Sequence, residues 1–155
     1  MLENISHDVS LGAFDEKVLS MSHIWLNDKD IQCLIHSTPV SEEQQKLWYA
    51  SIKNKIDYKI WALLFKNIPI GVCGIKNIRN NKGEYFGYIG VKCMWGKGIG
   101  KSMMRLIESK GRKIGLTHLY LYVRKYNERA ISLYKKSGYK EMGGDLDRLK
   151  FEKKL

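Results

Sequence analysis

The chain has 155 residues, a length that suits one domain with its own core, and its hydrophobic content of 44% excludes an intrinsically disordered chain. The sequence contains neither an apolar run long enough to cross a bilayer nor the basic and apolar segments of a secretory signal, so we expect a cytoplasmic protein. Its net charge of +11 favours an anionic partner, although a general enrichment in lysine would produce the same excess.

The first half of the sequence predicts a strand, two helices and three further strands, and no linker or repeat divides the single domain expected over residues 1–155. The first elements are a strand over 5–9 and a helix over 14–26. Ser41 and Gln44 have the spacing of a capping box, which predicts a second helix to about Asn54. The strands that follow are expected over 59–65, 70–75 and 84–91, with turns over 66–69 and 80–83.

The second half alternates helices and strands. Apolar residues at helical spacing predict a helix from about Ile99 to Ile114, and Gly115 is expected to end it. The remaining elements are a strand over 119–123, a helix over 127–136 and strands over 139–142 and 149–151. Three antiparallel strands followed by this alternation predict an α/β fold with one crossover unit in its middle.

Residues 95–103, WGKGIGKSM, lie between a predicted strand and a predicted helix. The backbone N–H groups at a helix N-terminus bind phosphate, and glycine lets a phosphate approach the backbone. The stretch is not a Walker A loop, because Trp95 occupies the position of the first glycine, nor a dinucleotide fingerprint, because Lys101 occupies that of the third. Gly98 and Gly100 fit the pattern x-x-G-x-G. A glycine-rich turn with a purely structural role would show the same residues.

Two motifs of this sequence resemble the GNAT superfamily of N-acetyltransferases. Gly98 and Gly100 match the superfamily's pyrophosphate loop, R/Q-x-x-G-x-G/A, with Trp95 at the position of the Arg or Gln. The second signature, N-x-x-A-x-x-x-Y-x-x-x-G-[FY], is matched by Asn127, Ala130, Tyr134, Gly138 and Tyr139. The motifs follow each other in the order that the superfamily has, and the resemblance covers roughly residues 58–151.

The resemblance implies an α/β (α+β) GNAT fold, with a mixed central sheet splayed between its fourth and fifth strands and helices on both faces. It also implies an acetyl-CoA-dependent N-acetyltransferase, with acetyl-CoA as cosubstrate and no metal. The residues expected to bind the coenzyme are Ile89, Gly90, Val91, Gly96, Lys97, Gly98, Ile99, Gly100, Lys101 and Asn127. Asn127 is equally suited to cap the helix that follows it.

The resemblance also assigns candidate catalytic residues. Tyr134 matches the tyrosine that protonates the departing sulfur, and Glu84 begins a strand on which many relatives carry a glutamate facing the acceptor. His23 and His118 are further candidate bases. Cys93 lies beside the glycine loop, and a buried thiol is expected there.

The acceptor is expected to contact the first two helices and their connection, through His23, Trp25 and Asn27, although Trp25 would serve equally as a core residue. This region resembles a branch that holds two groups of enzymes, one acting on N-termini of ribosomal proteins and one on nucleotide-linked 4-amino sugars for surface polysaccharides. The positive charge favours the sugar nucleotide, and a protein or peptide N-terminus is the alternative.

Other classes of function stay open. Tyr120, Tyr122 and Tyr126, interleaved with Arg124 and Lys125, have the composition of a nucleic-acid stacking surface, but the sequence has no recognised nucleic-acid motif. A GNAT fold that binds acetyl-CoA without turnover is another alternative, because Trp95 departs from the family pattern. A homodimer is compatible with the sequence.

Overall fold

The computed structural model describes residues 5–35 and 38–155. Its centre is a sheet of seven strands: β1 (Val9–Ala13), β2 (Lys59–Phe65), β3 (Ile68–Arg79), β4 (Lys82–Ile89), β5 (His118–Arg124), β6 (Lys140–Gly144) and β7 (Arg148–Lys154). Their spatial order is β1-β2-β3-β4-β5-β7-β6, and every neighbouring pair is antiparallel except β4 and β5, which are parallel. The expected mixed sheet is therefore confirmed.

Within residues 5–35 and 38–155, six α-helices accompany the sheet: α1 (Ile5–Asp8), α2 (Glu16–Leu26), α3 (Lys29–Ile35), α4 (Glu42–Ile52), α5 (Ile99–Lys113) and α6 (Glu128–Lys136). The Ser41 hydroxyl accepts from the Gln44 amide, and the Gln44 side chain accepts from the Ser41 amide, so the predicted capping box is confirmed at the start of α4. Gly115, with a φ of 87°, follows the end of α5 as expected.

The strand expected over 5–9 is wrong. Residues 5–8 form the helical turn α1, and pairing with β2 begins where the Lys66 amide donates to the Asp8 carbonyl, 2.8 Å away. Helix α3 was not expected, since only one of its seven residues, Ile31, is buried, which leaves no apolar period to detect. Residues 36 and 37 of the same connection lie outside the described part of the chain.

Two tight turns connect the antiparallel strands β2, β3 and β4. Lys66 and Asn67 both have positive φ, 49° and 64°, and so do Asn80 and Asn81, 51° and 60°. Positive φ at two successive residues is typical of two-residue hairpins, and asparagine tolerates it better than most residues do. The first turn is therefore shorter than the predicted 66–69, and Pro69 lies within β3.

The sheet is splayed at one seam, as the sequence led us to expect. β4 and β5 pair only between Lys82–Glu84 and His118–Tyr120. Beyond that contact β4 continues to Ile89 and β5 to Arg124 without pairing to each other. The two strands therefore separate toward their C-terminal ends and leave a gap in the middle of the sheet.

Apolar side chains pack on both faces of the sheet, because neighbouring strand residues point to opposite faces. On one face, α5 buries Ile99, Met103, Met104 and Ile107 in a cluster that also holds Leu63, Leu121 and Phe151. On the other face, α2 and α3 bury Val18, Trp25 and Ile31 against Ala62 and Val72. Helices therefore lie on both faces, as expected.

A buried ion pair connects α5, α6 and β7. The Lys153 ammonium lies 2.7 Å from Glu108 Oε1, and it also donates to the Ser137 carbonyl at 2.8 Å. Glu108 belongs to α5, Lys153 to β7, and Ser137 follows the last residue of α6. Since buried charges need a partner, this contact fixes the end of α6 relative to the sheet.

The capping box generates a test of the N-terminal fold. Ser41→Ala removes the side-chain acceptor for the Gln44 amide, so we expect a loss of about 1 kcal/mol in the free energy of unfolding, measured with urea. Ser51→Ala, in the same helix, is the control, because its hydroxyl only bonds back to the Trp48 carbonyl. Equal losses in the two variants would contradict a specific role for the cap.

Candidate active site

The gap between β4 and β5 forms part of a cleft with a volume of about 700 Å³. Its lining comes from the end of β4, the loop and first turn of α5, helix α6 and helix α3. Tyr126, in the loop before α6, donates a hydrogen bond from its hydroxyl to the Cys33 carbonyl of α3. This contact joins two parts of the lining that are far apart in sequence.

The glycine loop lines one part of the cleft with backbone. Gly98 is the N-cap of α5, has a φ of 82° and has nothing within 4 Å of the position where a Cβ would stand. No side chain caps this helix, so the N–H groups of its first turn are not used by a cap. Gly96 has a φ of 74° and is similarly open, with only the Arg129 guanidinium at 4.0 Å. The loop therefore fits the diphosphate of a coenzyme, since it offers amide donors and no side chain in the way.

Three other residues of this loop differ in their placement. Ile99 lines the cleft, but its side chain is buried in the core beside α5. Lys101 lines the cleft and is exposed, whereas Lys97 is exposed and is absent from the lining. Gly100 packs against α6, since a Cβ there would stand 3.0 Å from Leu133 Cδ2.

The end of β4 offers fewer free groups than expected. The amides of Gly90 and Val91 both donate to the Ile70 carbonyl, at 2.7 and 3.1 Å, and neither residue lines the cleft. Ile89 lines it, and the Ile89 carbonyl accepts from the Trp95 indole at 2.8 Å. The amides of Gly90 and Val91 are therefore not free for a coenzyme, and the β4 residues on the cleft are Tyr85, Gly87, Tyr88 and Ile89.

Asn127 and Tyr134 belong to the α6 side of the cleft. The Asn127 side-chain oxygen accepts from the Ala130 amide at 3.2 Å, so this residue caps α6 while it also lines the cleft. The Tyr134 ring packs edge-on to Tyr85 and Tyr139, with centroids 6.2 and 6.1 Å away. Burial raises the pKa of Tyr134 to about 12, so its hydroxyl keeps its proton at neutral pH.

A second pocket of about 310 Å³ adjoins the cleft. Both cavities are lined by Leu34, Ile35, Tyr85, Gly87, Asn127 and Tyr134. The remaining lining of the second pocket, which we call the smaller pocket, includes four charged side chains and two aromatic rings: Lys76, Glu84, Arg124, Arg148, Phe86 and Tyr122. Tyr134 therefore lies at the junction of an open cleft and a charged pocket.

Glu84 lines the smaller pocket, so the structure brings it to the same cavity as Tyr134. Its side chain is 15% exposed, and Glu84 Oε2 lies 3.6 Å from the Lys76 ammonium. Asn77 donates to the other carboxylate oxygen at 3.1 Å. These contacts hold the carboxylate in place.

The three residues expected to bind the acceptor do not line either cavity: His23, Trp25 and Asn27. Trp25 is only 8% exposed and packs in the core against Tyr88 and Gly90, where a Cβ would stand 2.1 Å from the indole. Asn27 ends α2, donates to the His23 and Val40 carbonyls, and accepts from the Val40 amide. Both residues hold α2 and its connection in place, so Trp25 has the core role that the sequence also allowed, and contact of this region with the acceptor stays a prediction.

Two further candidates lie away from the cavities. His118 starts β5 at the closed end of the seam, where its Nδ1 lies 2.9 Å from the Thr117 hydroxyl. Cys93 is exposed, so the expected buried thiol is wrong. The reason is that Cys93 belongs to the 3₁₀ turn Lys92–Met94, which connects β4 to the glycine loop and buries none of its residues.

Sequence reasoning missed the two arginines of the smaller pocket. Tyr122 and Arg124 alternate along β5 with the buried Leu121 and Val123, so the period-2 pattern already placed them on one face. Arg148 was not detectable, because only the strand register sets it opposite Arg124. The Tyr122 ring is covered by the Arg148 guanidinium, 4.4 Å from its centroid, so it is not a free stacking surface for a base.

The described residues contain neither a candidate metal site nor a helix that could span a membrane. No group of three or more His, Cys, Asp or Glu side chains within residues 5–35 and 38–155 is arranged to hold a metal ion. None of the helices in the described part of the chain combines the length and the apolarity needed to cross a bilayer.

Comparison with known proteins decides the family. A sequence model described as "Acetyltransferase (GNAT) family" matches residues 23–139, three quarters of the chain, including both motifs identified above. This chain belongs to the GNAT family. The family is described as one of acetyltransferases, and the glycine loop described above is compatible with acetyl-CoA as cosubstrate.

Solved structures agree with the GNAT fold. Spermidine N-acetyltransferase from Vibrio cholerae, in complex with CoA and spermine, superposes with a TM-score of 0.86 at 19% identity, over 96% of each chain. The N-acetyltransferase PseH of Campylobacter jejuni does so with a TM-score of 0.74 at 20% identity, over 96% of this chain and 99% of that one. At these identities the likeness shows a shared fold.

A curated relative matches at the level of sequence. The uncharacterized protein MJ1062 of Methanocaldococcus jannaschii is 27% identical over 111 residues, which are 69% of this chain and 22% of that protein. The chain therefore corresponds to about a fifth of the relative's length.

The glycine loop of this GNAT chain generates a test with a matched control. Gly98 and Gly115 stand at opposite ends of α5, both have positive φ, and both have nothing within 4 Å of a Cβ position. Each change to alanine imposes a similar backbone strain, about 1–2 kcal/mol. We expect only Gly98→Ala to weaken acetyl-CoA binding, by roughly tenfold, because its methyl group stands over the amide donors. Calorimetric titration with acetyl-CoA measures both, and equal affinities would show that the loop does not hold the coenzyme.

Proposed function

We propose that this acetyltransferase acts on the amino group of a nucleotide-linked 4-amino sugar, the class used for surface polysaccharides. The observation that carries the proposal is the smaller pocket, which adjoins the cleft at Tyr134 and is lined by three cationic side chains and one carboxylate. Among the described residues, Lys76 is paired with Glu84 and Arg148 with Asp145, so the positive charge that an acceptor meets here is mainly that of Arg124, whose contact with Asp147 is long. A diphosphate is attracted by that charge, whereas a polyamine or a basic peptide is repelled.

The shape and chemistry of the smaller pocket support a sugar as well as a phosphate. Phe86 contributes an aromatic ring to its lining, and such a ring suits packing against the apolar face of a sugar. Glu84 is its one acidic group, and it contacts an amino group more favourably than any other charged side chain there can. An acceptor with an amine at one end and phosphate at the other is compatible with both features.

Because acetyl-CoA supplies the acetyl group as a reactive thioester, the protein has to do little more than position the two substrates and transfer protons. We assign to Tyr134 the role of proton donor to the departing sulfur, since its raised pKa keeps the hydroxyl protonated. Glu84 receives the proton that the attacking amine loses, directly or through water, or holds the amine in place before attack. The amide bond forms as the carbon–sulfur bond breaks. One proton moves from the amine nitrogen to Glu84 and one from the Tyr134 hydroxyl to the sulfur of CoA, and both side chains return to their starting states by proton exchange with solvent.

The glycine loop, Ile89 and Asn127 complete the proposal as coenzyme contacts, and the single-domain organisation, the cytoplasmic location and a homodimer stay predictions. Lys97, Gly90 and Val91 are not retained as contacts, since none of the three lines the cleft.

Removal of one hydroxyl tests the role of Tyr134. Tyr134→Phe is expected to lower kcat by roughly 100-fold or more, with acetyl-CoA affinity unchanged, because the proton donor is lost while the ring stays in place. Tyr139→Phe is the matched control, since this buried neighbour also loses a hydroxyl, one without a hydrogen-bond partner among the described residues. A kcat of Tyr134→Phe equal to that of the control would exclude Tyr134 as the acid.

The acceptor class is tested by release of CoA thiol from acetyl-CoA in parallel reactions. The acceptors are a uridine-diphosphate-linked 4-amino-4,6-dideoxy sugar, a peptide with an N-terminal Ala or Ser, and spermidine. We expect turnover of the sugar nucleotide, with KM rising as salt is added, because salt screens the attraction between phosphate and pocket. Turnover of the peptide alone would support the alternative function and refute this one.

A further inference from the structure

One guanidinium in the smaller pocket has hydrogen-bonding capacity that the described residues do not use. The Arg124 side chain is only 11% exposed, and its Nε has no hydrogen-bond partner among the described residues. Its ion pair is with Asp147, whose side chain is 78% exposed and whose carboxylate lies 3.9 Å from Nη1. A pair at that distance with so exposed a partner is weak.

The neighbouring Arg148 lines the same pocket and, unlike Arg124, has a close acceptor for its guanidinium donors. Its Nε and Nη2 donate to one carboxylate oxygen of Asp145, at 3.1 and 2.9 Å, and its guanidinium lies over the Tyr122 ring. Arg124 and Arg148 stand opposite each other in the β5–β7 register. Two arginines side by side therefore differ in one respect, since only Arg124 has a buried donor without an acceptor.

A buried donor without an acceptor is unfavourable, so such groups in folded proteins usually have a hydrogen-bond partner, which protein, water or a bound ligand supplies. The guanidinium fork matches the oxygen geometry of a phosphoryl group, to which it donates two parallel hydrogen bonds. A phosphoryl group also carries more charge than the single exposed carboxylate of Asp147. It therefore has both the geometry and the charge to replace Asp147 as the partner of Arg124.

The position of Arg124 in the pocket separates it from Glu84. Glu84 pairs with Tyr120 at the seam, and Arg124 is four residues farther along β5, or about 13 Å along the strand. An acceptor that spans the smaller pocket therefore has its amine near Glu84 and its anionic group at the far end, near Arg124. This arrangement leaves the amine on the side of the seam and the phosphate away from it.

We propose that Arg124 determines acceptor specificity by binding a phosphoryl group of the acceptor. The proposal rests on the proposed function, in which the smaller pocket holds the acceptor. Arg148 lines the same pocket but is held by Asp145 and Tyr122, so it contributes charge and supports the ring rather than supplying the unfilled donor.

The test measures binding of uridine diphosphate by calorimetry to protein saturated with CoA, so that the glycine loop is already occupied. We expect Arg124→Gln to weaken binding by at least roughly tenfold. Arg124→Lys is expected to weaken it nearly as much, because lysine keeps the charge and loses the fork. Arg79→Gln, an exposed arginine outside both cavities, removes the same charge and is expected to change the affinity less than about twofold.

Thermal unfolding of each variant accompanies the titration, and we expect Arg124→Gln to unfold at a temperature close to that of the wild type, since it removes a poorly satisfied group. Absence of uridine diphosphate binding by the wild type, or equal affinities for wild type and Arg124→Gln, would overturn the proposal. An equal loss in Arg79→Gln would overturn it too, because the effect would then be one of net charge.

Kinetics separate this proposal from the proposed function. In the wild type, absence of turnover with the sugar nucleotide refutes the proposed function, while the titration still decides whether Arg124 binds phosphate. If the sugar nucleotide is turned over, Arg124→Gln is expected to raise its KM with little change in kcat, and to leave the KM of the free amino sugar unchanged. A fall in kcat for both acceptors would show a structural role for Arg124 and refute the specificity role.

Discussion

The short parallel contact between β4 and β5 is the constraint on which the active site depends. The strands on either side of this contact pair along most of their length. β3 pairs with β4 from the pair Gly71–Ile89 to the pair Arg79–Lys82, and β5 pairs with β7 over all seven residues. The divergence is therefore concentrated at a single seam that is three residue pairs long. Because β4 and β5 lack a lateral partner strand within the gap, their unpaired ends contribute to cavities at the middle of the sheet rather than at its rim.

The two cavities differ in the origin of their polarity. In the cleft, the groups suited to phosphate are backbone amides at the start of α5, which need no side chain and carry no net charge. In the smaller pocket, the polarity comes from charged side chains of β3, β4, β5 and β7. A phosphate site made of backbone amides tolerates substitution of the side chains around it. A pocket lined by side chains, in contrast, changes its preference for an acceptor when a single lining residue is substituted. The contrast accounts for how one fold holds the same coenzyme beside different acceptors.

The sequence predicted those parts of the site that are local in the chain. The glycine loop and Tyr134 follow from short motifs, and the turn at Asn80 and Asn81 from its residue types. The smaller pocket was not predictable in this way, because strand register brings Arg148 opposite Arg124, twenty-four residues earlier. The role of Trp25 was not predictable for a related reason. An aromatic residue at a helix end can pack on a glycine or contact a ligand, and the sequence does not show that Gly90 lies against the Trp25 ring. The amides of Gly90 and Val91 donate to the carbonyl of Ile70 in the adjacent strand. No local sequence pattern predicts these two hydrogen bonds.

The shared wall between the cleft and the smaller pocket has a consequence for the order of events. With the coenzyme in the cleft and the acceptor in the smaller pocket, the two molecules approach Tyr134 from different sides, and neither occupies the other's cavity. Under the proposed function, both are therefore expected to be bound together, with direct transfer of the acetyl group from one to the other. In steady-state kinetics such a path gives intersecting double-reciprocal lines, and parallel lines would indicate an acetylated enzyme.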